Sequence, residues 1–234
     1  MYVPATLAQP AGALTPIEIS ASATPSLQAQ ARTSLSADRT ELNVLEGRAT
    51  SVTGKLTART LSSEAVAAAQ APSRTTALHT AGLTGQEVQL QALGNHGWRT
   101  LAHTRTGEQG RFRLRYMPRV TVSEQLRLRF AGDAEDRGAH RRLGRLNVYR
   151  LAEASWYGGG GELACGGELT SATMGVANKT LPCGTEVTLR YDGRSVRVAV
   201  IDRGPYVAGR EFDLTEATKQ ALGFGGVGEV WSTR

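Results

Sequence analysis

The sequence predicts an all-β protein with two folded domains: a β-sandwich over residues 41–150, then a small closed barrel with one short helix over residues 151–234. Its 234 residues suffice for two ordinary domains. Between residues 41 and 150, apolar residues alternate with charged ones, as in half-buried antiparallel strands. Beyond residue 150 the chain becomes rich in glycine, and short strand-like runs are separated by turns. No apolar run is long enough to span a membrane.

Residues 1–40 are rich in Ala, Ser, Thr, Pro and Gln, and we expect them to form a disordered lead-in. No signal peptide is evident, because no Lys or Arg lies near Met1 and no clean apolar segment follows it. Either a signal has been removed from this numbering, or the start codon is assigned wrongly, or the protein is not exported.

Four alternating runs predict the strands of the sandwich. The residues expected to face inward are Val52, Gly54 and Leu56; Val88, Leu90 and Ala92; Phe112, Leu114 and Tyr116; and Leu126, Leu128 and Phe130. Arginines occupy the alternate positions 111, 113, 115, 127 and 129, which predicts a basic outer surface. Turns are expected at 94–97 and 107–110.

Two segments of this half are less regular. We expect residues 61–81, with the alanine-rich stretch Glu64–Ala71, to form an inserted loop or a short helix. The run Leu146–Arg150 is either the last strand of the sandwich or the start of a linker.

The net positive charge is carried by the sandwich half. Residues 41–150 carry 17 Lys/Arg against 9 Asp/Glu, about +8, whereas residues 151–234 carry 8 against 10, about −2. A basic module suggests attraction to polyanions such as wall polymers, anionic lipid surfaces or nucleic acid, although no nucleic-acid-binding motif is present. The alternative is a solvated arginine-rich face without a partner.

Both cysteines, Cys165 and Cys183, lie in the C-terminal half, and none of the four histidines does. They are therefore not a metal-binding set, and we expect neither a metal nor another cofactor. A disulfide between them would stabilise the fold by roughly 3 kcal/mol and indicate an oxidising, extracytoplasmic setting. Two unrelated reduced thiols are the alternative.

The stretch Val198–Ile201 is an apolar strand that ends at Asp202, just before Gly204 and Pro205. A strand that stops at a rigid turn can present a carboxylate to a substrate. The alternative is that Asp202 only caps the turn by bonding its own backbone.

The remaining elements of the C-terminal half complete a small barrel. Glu186–Tyr191 and Ser195–Ile201 alternate around an Asp192-Gly193 hairpin turn. Phe212–Thr215 is expected to open a helix that ends at Leu222, with Asp213 or Thr215 as the N-cap. Val227–Ser232 is the predicted closing strand.

Five short motifs occur together in order: Ser-Trp-Tyr-Gly (155–158), Asn-Lys-Thr-Leu-Pro-Cys-Gly-Thr (178–185), Gly-Arg-Ser-Val (193–196), Asp-Arg-Gly-Pro-Tyr (202–206) and Phe-Asp-Leu-Thr (212–215). With them, residues 152–234 resemble the RlpA-like double-psi β-barrel and are similar to the catalytic-type domain of expansins. The resemblance implies a six-stranded barrel with a polysaccharide groove. The preceding sandwich is similar to the immunoglobulin-like (Ig-like) modules of bacterial wall and surface proteins.

The resemblance implies lytic transglycosylase action on peptidoglycan, with cleavage between N-acetylmuramic acid and N-acetylglucosamine that leaves a 1,6-anhydro end. It also implies a preference for glycan strands without peptides. The alternative is a non-catalytic, expansin-like protein that binds glycan and loosens the wall. A third reading is an adhesion or inhibitor protein that uses the barrel only as a scaffold. The protein is expected to be an extracellular, wall-associated monomer.

The same resemblance implies the site residues. Asp202 is the general acid/base, and its pKa must then be raised from about 3.9 by burial or by a nearby carboxylate. The other catalytic candidates are Asp213, as that second carboxylate or as a helix N-cap, and Glu168, as an assisting acid or a solvated loop residue. The candidates for substrate binding are Ser155, Trp156, Tyr157, Asn178, Arg203 and Tyr206.

One position departs from the family pattern. Asn178 stands where the RlpA members usually have histidine. An asparagine can hydrogen-bond a sugar or orient Asp202, but it cannot transfer a proton. The cysteine pair also departs from Gram-negative members and is similar to secreted Gram-positive-type versions.

Overall fold

The computed structural model describes residues 30–65 and 74–234. Most of the lead-in predicted for residues 1–40, and residues 66–73 of the predicted insertion, lie outside these ranges. The strands are β1 Arg32–Ala37, β2 Leu42–Leu45, β3 Thr50–Ala65, β4 Arg74–Gly82, β5 Glu87–Gly94, β6 Gly97–Arg105, β7 Arg111–Tyr116, β8 Val122–Phe130, β9 Ala139–Tyr157, β10 Gly161–Glu162, β11 Glu168–Leu169, β12 Val176–Ala177, β13 Glu186–Tyr191, β14 Arg194–Asp202, β15 Phe212–Thr215 and β16 Gly228–Ser232. The helix α1 is Glu216–Leu222, and a 3-10 turn covers Glu108–Gly110.

Two sheets face each other in the N-terminal half. The first contains β1, β3, β4 and β7, and the second runs in the order β2, β9, β8, β5, β6. Apolar residues from both sheets are buried in one shared core, among them Leu56, Leu90, Leu114 and Leu128. The alternating runs are thereby confirmed as strands of a sandwich, with their arginines on the outside. The Ig-like character of this sandwich stays a prediction.

Two boundaries differ from the sequence analysis. Residues 32–37 are not lead-in, because β1 pairs with β3 along its whole length. The described parts of segment 61–81 are neither loop nor helix, because β3 continues to Ala65 and pairs there with β4, which begins at Arg74. In both cases cross-strand hydrogen bonding overrides a local composition that favours other structures.

No linker separates the two halves, because β9 is a single strand from Ala139 to Tyr157. Its first part pairs with β8 in the sandwich, and its last part pairs with β16 and β15 in the barrel. Tyr149 is buried midway along it, where its hydroxyl donates to Asn43 Oδ1 at 2.8 Å and its ring lies 5.7 Å from that of Trp231. The run that ends at Arg150 is therefore continuous strand.

Six strands close the barrel, in the order β9, β15, β12, β14, β13, β16 and back to β9. The pairs β12–β14 and β15–β9 are parallel, and the others are antiparallel. The interior contains the inward residues of these strands and the last residue of α1: Ala154, Val176, Val187, Leu189, Val198, Val200, Phe212, Leu214, Leu222 and Val230. This closed ring with one short helix has the arrangement expected of a double-psi β-barrel.

Local signals explain most of these elements. Asp192 and Gly193 both have positive φ, 42° and 79°, as a two-residue hairpin turn of type I′ requires. Phe212–Thr215 is strand rather than the first turn of the helix, and Thr215 is the N-cap of α1, since its side chain accepts from the Thr218 N–H. Asp213 is thus not a cap.

Among the described residues, no helix is long and apolar enough to cross a membrane.

Candidate functional site

The site lies where four adjacent barrel strands present residues in one row. Asp202 at the end of β14 pairs with Ala177 of β12, Ala177 pairs with Asp213 of β15, and Asp213 pairs with Ser155 of β9. Asp213 and Ser155 lie at one level of their parallel strands and point to the same face of the sheet. The β12–β14 register shifts between Val176 and Ala177, so the direction of the Asp202 carboxylate is defined by its own contacts and not by this pairing. The backbones of Asp202 and Asp213 are two strands apart, about 10 Å.

Asp202 is half-buried and firmly held. Its Oδ1 accepts the backbone N–H of Ala164 at 2.9 Å and that of Arg203 at 2.8 Å. The second bond is the local one expected of an Asp at a turn, whereas the first comes from a loop 38 residues away in sequence. Among the described residues, Oδ2 accepts no hydrogen bond of normal geometry, although the Tyr157 hydroxyl interacts with this carboxylate.

The end of β14 is fixed by the residues that follow it. Gly204 has φ of 131°, a conformation open to glycine and strained for other residues, and Pro205 cannot donate a ladder hydrogen bond. The strand therefore ends at Asp202.

The loop that contacts Asp202 is tied to the barrel by a disulfide between Cys165 and Cys183. The Cys165 N–H also donates to the Ile201 carbonyl at 3.2 Å. The disulfide expected from the sequence is present, and it holds the N–H of Ala164 beside the carboxylate.

Tyr157 contributes a buried hydroxyl without a hydrogen-bond partner among the described residues. Burial raises the pKa of this tyrosine, and the negative charges of Asp202 and Asp213 raise it further. The hydroxyl is thus close to both carboxylates, although it meets the geometry of a hydrogen bond with neither. It is a neutral, buried donor in the neighbourhood of two acids.

Ser155 and Asp213 form a pair. The Ser155 hydroxyl donates to Asp213 Oδ1 at 2.6 Å, and Ser155 is only 2% exposed. The predicted contact between Ser155 and a substrate has no accessible surface to support it. The serine instead fixes the orientation of Asp213.

Asn178 has a different role from the one expected. Its side chain is buried, with Nδ2 donating to the Glu211 carbonyl at 3.1 Å and Oδ1 accepting the N–H groups of Thr180 and Leu181 at 3.0 and 2.9 Å. Only its backbone N–H reaches Asp202, where it donates to the backbone carbonyl oxygen at 3.2 Å. The expected orientation of the Asp202 carboxylate by the Asn178 amide is therefore wrong, because that amide shapes the following turn.

Arg203 also braces this turn. Its guanidinium donates to the carbonyls of Asn178 and Leu181 at 3.0 and 2.7 Å, and it lies 3.0 Å from the Cys183 sulfur. These bonds occupy the side chain that the sequence analysis assigned to substrate binding.

The other predicted site residues are accessible. Glu168 is exposed on β11, and its carboxylate makes no hydrogen bond or ion pair with the rest of the described chain. Tyr206 is 81% exposed and Trp156 is 40% exposed. Sequence reasoning missed Lys219, whose ammonium lies 3.8 Å from the centre of the Trp156 ring. No sequence signal connects these residues, because the contact joins α1 to the end of β9.

The fold and the polar residues together define a closed six-stranded barrel of the double-psi type, with one carboxylate at the end of β14 and another within β15. Residues 151–231 match the protein family described as "Lytic transglycolase". This C-terminal domain is therefore similar to the RlpA-like double-psi β-barrels.

Curated relatives match the same region. The chain is 45% identical over 80 residues to the "Probable endolytic peptidoglycan transglycosylase RlpA" of Aquifex aeolicus, covering 32% of this chain and 35% of the relative. It is 42% identical over 80 residues to the "Endolytic peptidoglycan transglycosylase RlpA" of Neisseria meningitidis serogroup A, covering 32% and 34%. The chain thus spans about a third of the length of these relatives. The solved structure of the "Streptomyces papain inhibitor (SPI)" is 26% identical, covers 36% of this chain and 91% of that one, and has a TM-score of 0.31.

Proposed function

We propose that the barrel is a peptidoglycan lytic transglycosylase in which Asp202 is the general acid/base. The observation that carries this proposal is the geometry of Asp202: one oxygen is held by two backbone N–H groups and the other accepts no hydrogen bond of normal geometry in the described structure. A carboxylate fixed in this way suits proton transfer to and from a bound sugar. The curated relatives that match this domain bear the names of enzymes with the same activity.

The proposed reaction breaks the bond between N-acetylmuramic acid and N-acetylglucosamine. Asp202 gives a proton to the departing glycosidic oxygen, and the 6-hydroxyl of the muramic acid attacks its own anomeric carbon. Asp202 then receives the proton of that hydroxyl, so no water is consumed and a 1,6-anhydro end remains. One carboxylate serves both steps. The reaction therefore needs no second carboxylate to activate water as a general base, as hydrolases do.

The neighbours of Asp202 have supporting roles in this proposal. Asp213, held by Ser155, accepts from a sugar hydroxyl, and the buried Tyr157 hydroxyl lies near both carboxylates as an uncharged group. The exposed rings of Trp156 and Tyr206 stack on sugar faces. Glu168 assists from the exposed loop strand β11.

The proposed substrate is the glycan strand of peptidoglycan without peptides, and the proposed location is the cell wall outside the cytoplasm. The disulfide supports that location, because such bonds persist in oxidising compartments. The basic N-terminal half would add attraction to anionic polymers of the wall.

The test is incubation of the full chain with purified naked glycan strands, followed by mass analysis for anhydro-muramic ends. We expect Asp202→Asn to lower the rate of product formation by about 10²- to 10⁴-fold, since an amide cannot transfer the proton. The matched control is Asp192→Asn, in the exposed hairpin turn between β13 and β14, where asparagine is tolerated, and it should keep the wild-type rate.

The alternative, a wall-loosening protein without catalysis, gives a different result in the same assay. The wild-type chain would then sediment with glycan strands but release no anhydro product. Equal product from wild type and Asp202→Asn would instead exclude the assigned role of Asp202.

A further inference from the structure

A row of basic side chains lies in the sandwich, on the outer face of strands β1, β3 and β7. Arg111, Arg113 and Arg115 of β7 all point outward, and alternate residues of a strand are about 7 Å apart. Their partners on β3 are Lys55, Thr53 and Ser51 respectively. The face therefore presents a regular column of guanidinium groups next to an ammonium and two hydroxyls.

Two cavities lie along this column. The larger has a volume of about 790 Å³, and the cations that line it are Lys55, Arg105, Arg111 and Arg113. The smaller has a volume of about 290 Å³ and is lined by Arg39, Arg113 and Arg115 with Ser51. Arg113 lines both cavities, so they lie next to each other. We call these six basic residues the basic strip.

Few acidic groups offset this charge. Asp38 is the only carboxylate in the lining of either cavity, and its Oδ1 accepts the Thr53 N–H at 2.9 Å. Among the side chains that the structure describes, no residue of the basic strip forms an ion pair; the four pairs found there involve other residues. Arginines aligned on one face repel one another, so the arrangement is unfavourable in the free protein and favours an anionic ligand.

The form of the strip indicates the kind of anion. Three guanidinium groups at regular intervals suit a chain of repeated charges better than a single small ion. Arginine binds phosphate bidentately, and hydroxyls such as Thr53 and Ser51 add donors. The one aromatic residue in the lining, Phe112, is buried, so no exposed ring of these cavities can stack on a nucleic-acid base.

We propose that the basic strip is a binding site for a linear polymer with repeated phosphodiester groups, held by backbone charge and not by base recognition. This site is separate from the Asp202 row, and the proposal does not depend on the activity of the barrel. A protein with such a site would be kept near polyanionic material while the barrel acts on another ligand.

The test is a binding titration of the full chain with fluorescently labelled poly(glycerol phosphate), followed by anisotropy. The variant Arg111→Gln/Arg113→Gln/Arg115→Gln removes three charges of the strip. The matched control, Arg137→Gln/Arg141→Gln/Arg142→Gln, removes three charges from exposed positions, one just before β9 and two among its first residues. Circular dichroism and thermal melting establish that both variants are folded.

We expect the strip variant to lose at least about tenfold in affinity near 50 mM salt and the control to lose less than about threefold. The affinity of the wild type should fall steeply between about 50 and 200 mM salt, and the strip variant should show a shallower slope. Labelled neutral dextran should not bind.

Three outcomes would overturn the proposal. Equal losses in the two triple variants would mean that net charge alone is responsible. No saturable binding of the polymer by the wild type would remove the site. A labelled oligothymidylate that binds more tightly than poly(glycerol phosphate), with the same sensitivity to the strip variant, would assign the strip to single-stranded nucleic acid.

Discussion

The barrel and the sandwich follow the same alternation of inward apolar and outward polar residues, but they hold their polar residues differently. In the barrel, Asp202 and Asp213 are fixed by hydrogen bonds from within the protein. In the sandwich, Arg111 and Arg115 are exposed and have no ion-pair partner among the described side chains. The contrast suggests two uses of a polar face. Fixed groups suit chemistry, whereas free charges suit attraction of a flexible polymer.

This comparison predicts that substitutions at the fixed groups of the barrel cost stability, and that substitutions in the basic strip do not. Four measurements test it.

Removal of the disulfide should have the largest effect on stability. The bond joins residues 18 apart, and Cys165→Ser/Cys183→Ser should lower the free energy of unfolding by about 3 kcal/mol. Urea unfolding of the double variant, and of the wild type with reductant, measures this and should give coincident curves. The Ala164 N–H would also lose its fixed position beside Asp202, so activity should fall under conditions where the variant is still folded. Unchanged activity would show that the loop is not needed to orient the carboxylate.

Asn178→Ala should cause the second-largest loss of stability. The variant leaves two backbone N–H groups and the Glu211 carbonyl without their side-chain partner, which costs about 1 to 3 kcal/mol. The control is Lys179→Ala, a neighbouring residue that is exposed. Thermal melts that gave equal shifts for the two variants would contradict the role we assign to the Asn178 side chain.

Tyr157→Phe should change the pH dependence of stability. Burial and the two nearby carboxylates raise the pKa of Tyr157 in the folded protein, whereas an unfolded tyrosine ionises near pH 10. The unfolded state therefore loses a proton first, and stability falls as the pH rises above about 10. The phenylalanine variant lacks this contribution, so its loss of stability between about pH 9 and 11 should be smaller than that of the wild type in urea titrations. Parallel curves would mean that the hydroxyl is not buried near the acids.

Substitution of the arginines in the basic strip should cause the smallest change in stability. Arg111→Gln/Arg113→Gln/Arg115→Gln relieves like-charge repulsion on an exposed face, so its free energy of unfolding should stay within about 0.5 kcal/mol of the wild type or rise slightly. A loss as large as that of Asn178→Ala would show that the arginines brace the sandwich, and the contrast between the two regions would then fail.

Much of this architecture was predictable from local signals. The alternation at Val88–Ala92 and Leu126–Phe130 identified strands, because burial of one sheet face imposes a period of two. Asp192-Gly193 identified a hairpin, since both residues tolerate positive φ. The end of β14 at Asp202 followed from Gly204 and Pro205.

Other features depended on contacts between distant parts of the chain. Composition placed residues 32–37 in the lead-in, yet β1 forms because a partner strand is available in β3. The role of Asn178 was misjudged because its amide is directed toward Glu211 and the 180–181 turn, which only the packed barrel brings near it. The alternatives for Asp213 were likewise decided by strand pairing.

The sequence by itself determined the positions of most strands, the candidate acid at residue 202 and the basic character of the first half, because these follow from residue type and near neighbours. Only the tertiary structure decided which groups come together: Asp202 with the Ala164 N–H, and Ser155 with Asp213. It also placed the Tyr157 hydroxyl where the charges of both acids act on it. The physical reason is that barrel closure sets these contacts by pairing strands that are far apart in the chain, and no local pattern records that pairing.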